Sequence, residues 1–397
     1  MVRSTLSLAD LLANPDATLK AAREAGVMVD TEFGPYVVRH AAVREVGQNE
    51  ALRPSFSRVL TQFGVTSGPF FEWMSLSPLD MDGPQHRVWR ALMARTFTPR
   101  SVERLRPFLR EEAARLVDAM LPLGGCDFVQ AFARKLPAAG LCELIGVPVA
   151  DRERFAGWAD TIGLGFNVVV LPTRIADIDA ALVQLLAYSD ELIAARRAEP
   201  RDDLVTRIAQ AVDEEAGMAE PMIRSSLAGL VFAGHETTKN QLGWMVAVLA
   251  SEAPDEWERV AAEPERARDV IEEVLRFRST ATGFSRIALQ DVELQGERIA
   301  KDSTVIASIW SANRDPAEFP RPDTFAVDDN RAGVQLSFGQ GAHHCLGAAL
   351  ARAELQEALV ALTRRMRCPT LEPGAEFLPP IGINGPTQLP IAWQPRA

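Results

Sequence analysis

Apolar residues recur at helical spacing along most of the chain. The longest such run covers residues 221–251, which is enough for about eight helical turns. Further helices are predicted over residues 100–120, 150–197 and 348–361. Short segments bounded by turn residues predict strands at 35–39, 292–294 and 304–309. This pattern predicts a mainly α-helical protein with small β-sheets.

The long apolar run is interrupted by Ala233-Gly234-His235-Glu236-Thr237-Thr238, followed by Lys239, Asn240 and Gln241. So many polar groups at its centre argue against a transmembrane span. A surface-facing polar turn remains an alternative. In a functional interpretation, the Thr237 hydroxyl bonds the carbonyl one turn back and opens the helix, and Gly234 leaves room on that face. The Glu236 carboxylate beside that hydroxyl could then relay protons through water.

A second unusual segment is the loop Phe338-Gly339-Gln340-Gly341-Ala342-His343-His344-Cys345-Leu346-Gly347, which runs directly into a predicted helix. A thiol is mostly protonated near neutral pH, and a metal or a helix N-terminus favours its ionised form. Gly339 and Gly341 allow a tight bend and a close approach to a flat ligand. The loop therefore predicts a metal-binding thiolate at Cys345. The other three cysteines, Cys126, Cys142 and Cys368, lack metal or redox spacing and are interpreted as core or surface thiols.

Written as F-G-x-G-x-H-x-C-x-G, the loop resembles the haem-binding loop of the cytochrome P450 family. The resemblance implies a triangular helix-rich prism, with haem b between the central long helix and the helix after Cys345. It also implies that Cys345 ligates the iron and that Ala233, Phe338, Gly339 and Gly347 contact the haem. Residues 233–238 are similar to the family's oxygen-binding motif, which would make Glu236 and Thr237 the catalytic pair.

The segment Glu273-Val274-Leu275-Arg276 resembles the family's E-x-x-R motif. Alone, a carboxylate and a guanidinium three residues apart indicate only a modest helix-stabilising pair. The resemblance implies a structural pair that closes on a third arginine. Asp329 stands where bacterial members often carry that arginine, and Arg331 is the nearest substitute.

Haem propionates are anions that need cationic or hydrogen-bonding partners once they leave water. His86 and Arg90 share one helical face, and with Phe97-Thr98-Pro99 they resemble the family's H-x-x-x-R helix and its end. Arg286 and His343 match the family's other two propionate partners. Each of the four would be read as an ordinary surface charge if it stood alone.

By position in the family, the substrate pocket should include Phe70, Phe71, Trp73, Phe166, Val169, Leu230, Phe284 and Ile383. This apolar set predicts a small or medium hydrophobic or aromatic substrate, although such residues could equally belong to the core. Arg174 stays open as a partner for a substrate carboxylate. Thr280 occupies a position where many members have proline, so the strand leading to Arg286 could run differently.

The composition agrees with a globular enzyme. The 397 residues are 47% hydrophobic and 24% charged, and no linker or repeat divides them, so we expect one domain over residues 1–397. The formal net charge of −11 disfavours nucleic-acid binding. Unpaired cysteines suit a reducing interior. Residues 1–17 resemble neither a signal peptide nor a membrane anchor, which predicts a cytoplasmic protein without a membrane partner.

The resemblance implies a monooxygenase that inserts one oxygen atom of O2 into its substrate by hydroxylation or O-dealkylation. No flavin or iron–sulfur motif is present, so the electrons would come from a separate ferredoxin and ferredoxin reductase. An acidic donor could dock on the arginines near the cysteine face, namely Arg87, Arg95, Arg100, Arg352, Arg364 and Arg365. The alternatives are a peroxygenase or non-oxidative haem enzyme, or a haem-binding sensor. The pair Glu236 and Thr237 weighs against all of them.

Overall fold

The computed structural model describes residues 3–214, 220–330 and 332–396. The α-helices in these ranges are α1 (Leu8–Ala13), α2 (Pro15–Ala25), α3 (His40–Gln48), α4 (Phe56–Gln62), α5 (Pro69–Ser75), α6 (Gly83–Ala94), α7 (Pro99–Met120), α8 (Lys135–Ile145), α9 (Arg152–Gly163), α10 (Leu171–Ala198), α11 (Leu204–Glu214), α12 (Glu220–Glu252), α13 (Pro254–Ala262), α14 (Ala267–Phe277), α15 (Ile309–Ala312), α16 (Val327–Asn330) and α17 (Ala348–Arg365). The strands are β1 (Met28–Thr31), β2 (Gly34–Val37), β3 (Leu52–Pro54), β4 (Gly125–Asp127), β5 (Gly283–Ala288), β6 (Val292–Leu294), β7 (Glu297–Ile299), β8 (Thr304–Ser308), β9 (Thr370–Leu371), β10 (Glu376–Phe377), β11 (Pro386–Gln388) and β12 (Pro390–Ala392). The predicted fold class, mainly helical with small sheets, is confirmed.

The largest sheet has the strand order β1-β2-β8-β5-β3, with β2 and β8 parallel and the other neighbours antiparallel. Within it, Arg286 on β5 pairs with Pro54 and Val305. Three small sheets, β4-β12-β9, β6-β7 and β10-β11, complete the β structure. The five-stranded sheet therefore presents Arg286 beside the helical body.

The main hydrophobic core lies among the long helices. The central helix α12 packs against α8, α9, α10 and α17, while α17 also packs along α7. Leu242, Met245, Val246 and Leu249 of α12 are fully or almost fully buried in this core. Two smaller apolar clusters lie at the five-stranded sheet.

The polar segment of α12 is buried. His235, Glu236 and Asn240 are each at most 1% exposed, so the alternative of a surface-facing polar turn is wrong. Their hydrogen bonds to side chains of α9 and α12 compensate for the loss of water. Within the described part of the chain, no helix has the length and apolar character needed to cross a membrane.

A buried ion pair joins Glu273 and Arg276 of α14. Two parallel hydrogen bonds of 2.7 Å connect the guanidinium to the carboxylate. The remaining Arg276 donors bind the carbonyls of Asn313, Pro322 and Thr324 at 2.8–2.9 Å. This one side chain thus attaches the segment before the cysteine loop to α14.

The third partner of this pair is Asn330. Its amide donates to the Glu273 carboxylate at 3.0 Å and to the Arg321 carbonyl at 3.0 Å. Asp329, where the family often has arginine, instead pairs with Arg321 at the surface. Arg331 lies outside the described residues. A neutral amide therefore completes the network next to the position where the family's arginine was expected.

We predict that Arg276→Ala lowers the free energy of unfolding by about 3–5 kcal/mol, because it leaves the Glu273 carboxylate buried without its cation. The midpoint of chemical denaturation measures this change. Arg259→Ala is the matched control, since Arg259 makes an ion pair with Glu256 at the same spacing but is 57% exposed. The control substitution should lower the free energy of unfolding by less than about 1 kcal/mol. Equal losses in the two variants would contradict a structural role for the buried pair.

Candidate active site

The loop before α17 is a tight bend held by its own backbone. Gly339 and Gly341 have φ values of 68° and 70°, in the left-handed region that favours glycine. The Cys345 N–H closes the bend by donating to the Phe338 carbonyl at 2.7 Å. Arg90 of α6 donates to the His344 carbonyl at 2.5 Å, which fixes the loop against that helix.

The two glycines lie against different parts of the structure. A Cβ on Gly339 would meet nothing closer than 3.8 Å, and Gly339 lines the cavity beside Cys345. A Cβ on Gly341 would lie 2.3 Å from the Gly47 carbonyl oxygen at the end of α3. The expectation that Gly341 approaches the flat ligand is therefore replaced by a contact with α3.

The Cys345 side chain faces a cavity of about 420 Å³ between α12 and the start of α17. Burial raises the pKa of its thiol, while the Gly347 backbone N–H and the guanidinium groups of Arg90 and Arg352 lower it. These groups favour the thiolate without securing it, and a bound metal would complete the ionisation.

The cavity brings together residues that are far apart in sequence. The predicted cofactor, substrate and catalytic residues that also line it are Trp73, His86, Arg90, Phe166, Leu230, Ala233, Thr237, Phe284, Arg286, Phe338, Gly339, His343, Cys345, Gly347 and Ile383. The remaining lining is predominantly apolar. Such a chamber suits a flat apolar cofactor together with an apolar substrate.

One wall of the cavity carries four basic side chains. His86 and His343 stack with ring centroids 4.0 Å apart, and Arg90 and Arg286 lie in the same wall. Neither arginine forms an ion pair with a carboxylate of the described residues, and the buried His343 Nε2 has no hydrogen-bond partner there. This wall fits the two propionates of haem, because unpaired basic groups need anions.

The electrostatics of the wall point the same way. Burial lowers the pKa of His343 to about 3, with further lowering by His86, Arg286 and Arg90. Burial also lowers the pKa of Arg286 to about 10, although Asp82 raises it slightly. A pair of carboxylates placed here would relieve this mutual repulsion.

Thr237 faces the cavity from the middle of α12. Its hydroxyl donates to the Ala233 carbonyl at 2.6 Å, so that carbonyl is shared with a side chain one turn later. Gly234 packs against α8, where a Cβ would lie 2.9 Å from Leu141 Cδ1. Gly234 therefore also provides the close contact between these two helices.

The Glu236 carboxylate does not line the cavity. It lies between α12 and α9, 1% exposed, where Lys239 Nζ approaches at 2.5 Å and Asn240 Nδ2 donates at 2.9 Å. Burial lowers the pKa of Lys239, but the carboxylates of Glu236 and Asp160 raise it by more. Lys239 therefore stays a cation and balances both acids.

Asp160 of α9 connects this buried cluster to the protein surface. It accepts from His235 Nε2 at 3.0 Å and from Lys239 Nζ at 2.9 Å, and it pairs with Arg134. Arg134 also pairs with Glu153, which is 78% exposed. A chain of charged groups thus leads from solvent to Glu236.

Several predicted pocket residues lie elsewhere. Phe70 is fully buried and packs against Trp73 and Phe166 behind the lining. Phe71 and Val169 are also outside the lining. Arg174 is exposed on α10, where it pairs with Asp177 at 2.8 Å, and it does not reach the cavity. For Phe70 and Phe71 the cause is helical geometry, because neighbouring residues on α5 cannot all face one side.

Two aromatic residues of the lining, Phe56 and Phe232, were not among the predicted pocket residues. Phe56 and Phe232 each stack on Phe166, with ring centroids 5.1 and 3.8 Å from its own. Thr280 donates its N–H to Gln241 at 3.0 Å, a bond that the proline of many relatives could not make. Ring contacts between distant segments leave no local signal in a sequence.

Glu354 of α17 is the least expected residue of this lining. It is 1% exposed, and burial raises the pKa of its carboxyl well above the ordinary range, with the Thr238 hydroxyl lowering it only in part. Gly140 of α8 leaves it space, since a Cβ there would lie 2.6 Å from Glu354 Oε1. The structure thus contains a buried carboxylic acid whose surroundings favour the neutral, protonated form.

The fold and the cavity fit a protein that binds a planar cofactor beside a cysteine side chain, and comparisons with known proteins agree with this class. The cytochrome P450 family model matches residues 173–374. The mycinamicin IV hydroxylase/epoxidase of Micromonospora griseorubida is 38% identical over 79% of either chain. The luteothin monooxygenase of Streptomyces thioluteus is 32% identical over 94% of this chain and 91% of its own.

Solved structures show the same likeness. CalO2 superposes with a TM-score of 0.89 and 28% identity over 98% of both chains. P450BioI, in complex with an acyl carrier protein carrying hexadec-9Z-enoic acid, superposes with a TM-score of 0.88 and 26% identity over 97% of this chain and 99% of its own. This chain belongs to the cytochrome P450 family. Its cofactor is haem b, which when bound supplies iron that activates O2, and the protein is a monooxygenase.

We predict that Glu354→Gln raises the melting temperature at pH 8 but not at pH 4. Above the pKa of the unfolded chain, the unfolded carboxyl ionises while the native one stays protonated, so native stability falls as pH rises through this window. Glutamine removes that penalty. The control is Glu357→Gln, which breaks the pairs with Arg106 and Arg110 and should destabilise at pH 8. A pH-independent effect of Glu354→Gln would contradict the assignment.

Proposed function

We propose that the enzyme hydroxylates a small or medium hydrophobic or aromatic molecule, with electrons from a separate ferredoxin and its reductase. One O2, two electrons and two protons convert a substrate C–H bond to C–OH and release water. At a carbon bonded to an ether oxygen, the same hydroxylation leads to O-dealkylation. The observation that carries the proposal is the cavity in which an aromatic chamber, the Thr237 hydroxyl and the Cys345 thiol meet.

The substrate class follows from the aromatic side chains that line this cavity. Phe56, Phe166 and Phe232 form a stack, and Trp73 meets Phe166 edge to face at 6.3 Å. The indole N–H of Trp73 is already bonded to the Ser225 carbonyl. The chamber therefore presents aromatic surface without a cation for a substrate carboxylate, since the basic lining residues lie in the wall assigned to the propionates.

In the proposed proton route, the Thr237 hydroxyl is the last hydrogen-bond donor beside the bound O2. Glu236 supplies protons from the surface side. Adjacent helical residues point about 100° apart, which agrees with Thr237 facing the cavity and Glu236 facing α9. A water molecule or a rotation of the Glu236 side chain would join them. His86, Arg90, Arg286 and His343 would hold the propionates, while Cys345 ligates the iron.

The electron donor is proposed to be acidic and to dock beside α6. Arg87, Arg95, Arg100 and Arg364 are exposed, and no ion pair forms between them and the described residues. Arg352 and Arg365 are instead paired with Glu272 and Asp118. The basic surface available to a donor is therefore smaller than the six arginines expected from the sequence. The free thiols agree with a cytoplasmic setting, where such donors occur.

The main test is the coupling of oxygen use to product. A panel of apolar and carboxylated compounds is first screened for the optical shift that marks displacement of water from ferric iron, and the apolar compounds should give it. With the best of them, Thr237→Ala should release most of the O2 as hydrogen peroxide, and Glu236→Gln should slow turnover by about 100-fold. Thr161→Val removes an equivalent hydroxyl-to-carbonyl bond on α9, outside the cavity, and should change neither quantity.

Unchanged coupling in Thr237→Ala would contradict the proton route. Turnover sustained by hydrogen peroxide alone would favour the peroxygenase alternative, and haem without any turnover would favour the sensor.

For the donor, Arg95→Glu should weaken ferredoxin binding by about tenfold at low salt, with a smaller effect at high salt, because charged surfaces steer association. Arg174→Glu on α10 is the control and should leave donor affinity unchanged. Titration of ferredoxin against the rate of haem reduction measures both. Equal affinities in Arg95→Glu and the unmodified enzyme would remove this docking surface.

A further inference from the structure

Gly163, the last residue of α9, lies directly against the side chain of Glu236. A Cβ atom on Gly163 would be 2.5 Å from Cγ, 2.6 Å from Cδ and 3.0 Å from Oε2 of Glu236. Carbon atoms that are not bonded to each other stay about 3.5 Å or more apart. Any side chain at position 163 would therefore compete with Glu236 for the same space.

The backbone does not require glycine at this position. Gly163 has φ −55° and ψ −34°, an ordinary helical conformation that residues with a side chain adopt without strain. Glycine is also one of the least favourable residues within a helix. The reason for its presence is thus the neighbour that it accommodates rather than the conformation that it adopts.

Glu236 cannot easily move aside. Its carboxylate is held by Lys239 and Asn240, and Lys239 is held in turn by Asp160, one turn before Gly163 on α9. The two atoms in closest conflict are Cγ and the carboxylate carbon Cδ, and the hydrogen bonds of the carboxylate hold both in place. α9 therefore contributes both a charge, Asp160, and a space, Gly163, to the same carboxylate.

We propose that Gly163 is a positioning residue for Glu236 and that the missing side chain at 163 sets where the carboxylate lies. This inference rests on the proposed function, in which Glu236 supplies protons for oxygen activation. A methyl group at 163 displaces the carboxylate from Lys239 and Asn240 without touching the cysteine loop or the basic wall of the cavity.

The kinetic test is Gly163→Ala in the haem-loaded enzyme. Product formation should fall by about tenfold or more, with an increased solvent deuterium isotope effect, because proton supply becomes limiting. Phe166 of the cavity lies three residues away, so the substrate dissociation constant is measured by the optical shift and should stay unchanged. Gly157→Ala is the matched control on the same helix, since its Cβ would meet only Arg134 Nη2 at 3.8 Å.

A second measurement does not depend on activity. Melting temperatures are compared for Gly163→Ala, Glu236→Ala and the double variant. Gly163→Ala should lower the melting temperature in the unmodified protein, but should preserve or raise it in the Glu236→Ala background, where the steric conflict is gone. Equal losses in both backgrounds would overturn the packing assignment.

The two levels of the proposal fail differently. If Gly163→Ala kept normal turnover and isotope effect, positioning by Gly163 would be overturned while the proton role of Glu236 could still stand on Glu236→Gln. If Glu236→Gln itself turned over normally, the proposed proton role of Glu236 would fail. The positioning role of Gly163 would then have no functional consequence, even if the melting temperatures were non-additive.

Discussion

The Arg276 guanidinium and the Glu273 carboxylate balance each other's charge at a site where both side chains are almost fully buried. Each also has hydrogen-bonding capacity left over after the pair has formed, and residues 313–330 satisfy it with three carbonyls, the Ala326 N–H and the Asn330 amide. The loop that presents Cys345 follows this segment and is tied to the same helix, because the Ser337 hydroxyl donates to the Leu275 carbonyl. The position of Cys345 therefore depends on a buried ion pair that lies outside the lining of the cavity.

In the middle of α12, three successive residues of one helical turn face three different environments. Glu236 faces α9 and its charged cluster, Thr237 faces the cavity, and Thr238 faces the buried acid Glu354. Successive residues can do this because each is rotated by about 100° from the last. Glycine supports the arrangement from outside, since Gly140 and Gly163 leave the volume that the two carboxyl groups occupy. Carboxyl groups in an apolar interior thus depend on neighbours without side chains.

Local patterns correctly predicted several short-range features around the cavity, because the groups involved are close in sequence. The bend at Gly339, the i to i−4 hydroxyl bond of Thr237 and the spacing of Glu273 and Arg276 are all short-range geometry. Contacts between distant segments were missed or misplaced. Gly341 serves α3, Asn330 completes the ion pair, and Phe70 lies behind the lining instead of in it.

The sequence by itself determined the helical class, the cofactor and the family, since periodicity and short motifs express constraints on neighbouring residues. Only the tertiary structure decided which face of α12 each polar residue takes, which aromatic rings form the chamber, and that Gly163 lies against Glu236. These properties arise from the packing of helices that are remote in the chain. Packing excludes overlap and leaves no buried charge without a partner, and neither rule is visible until the helices meet.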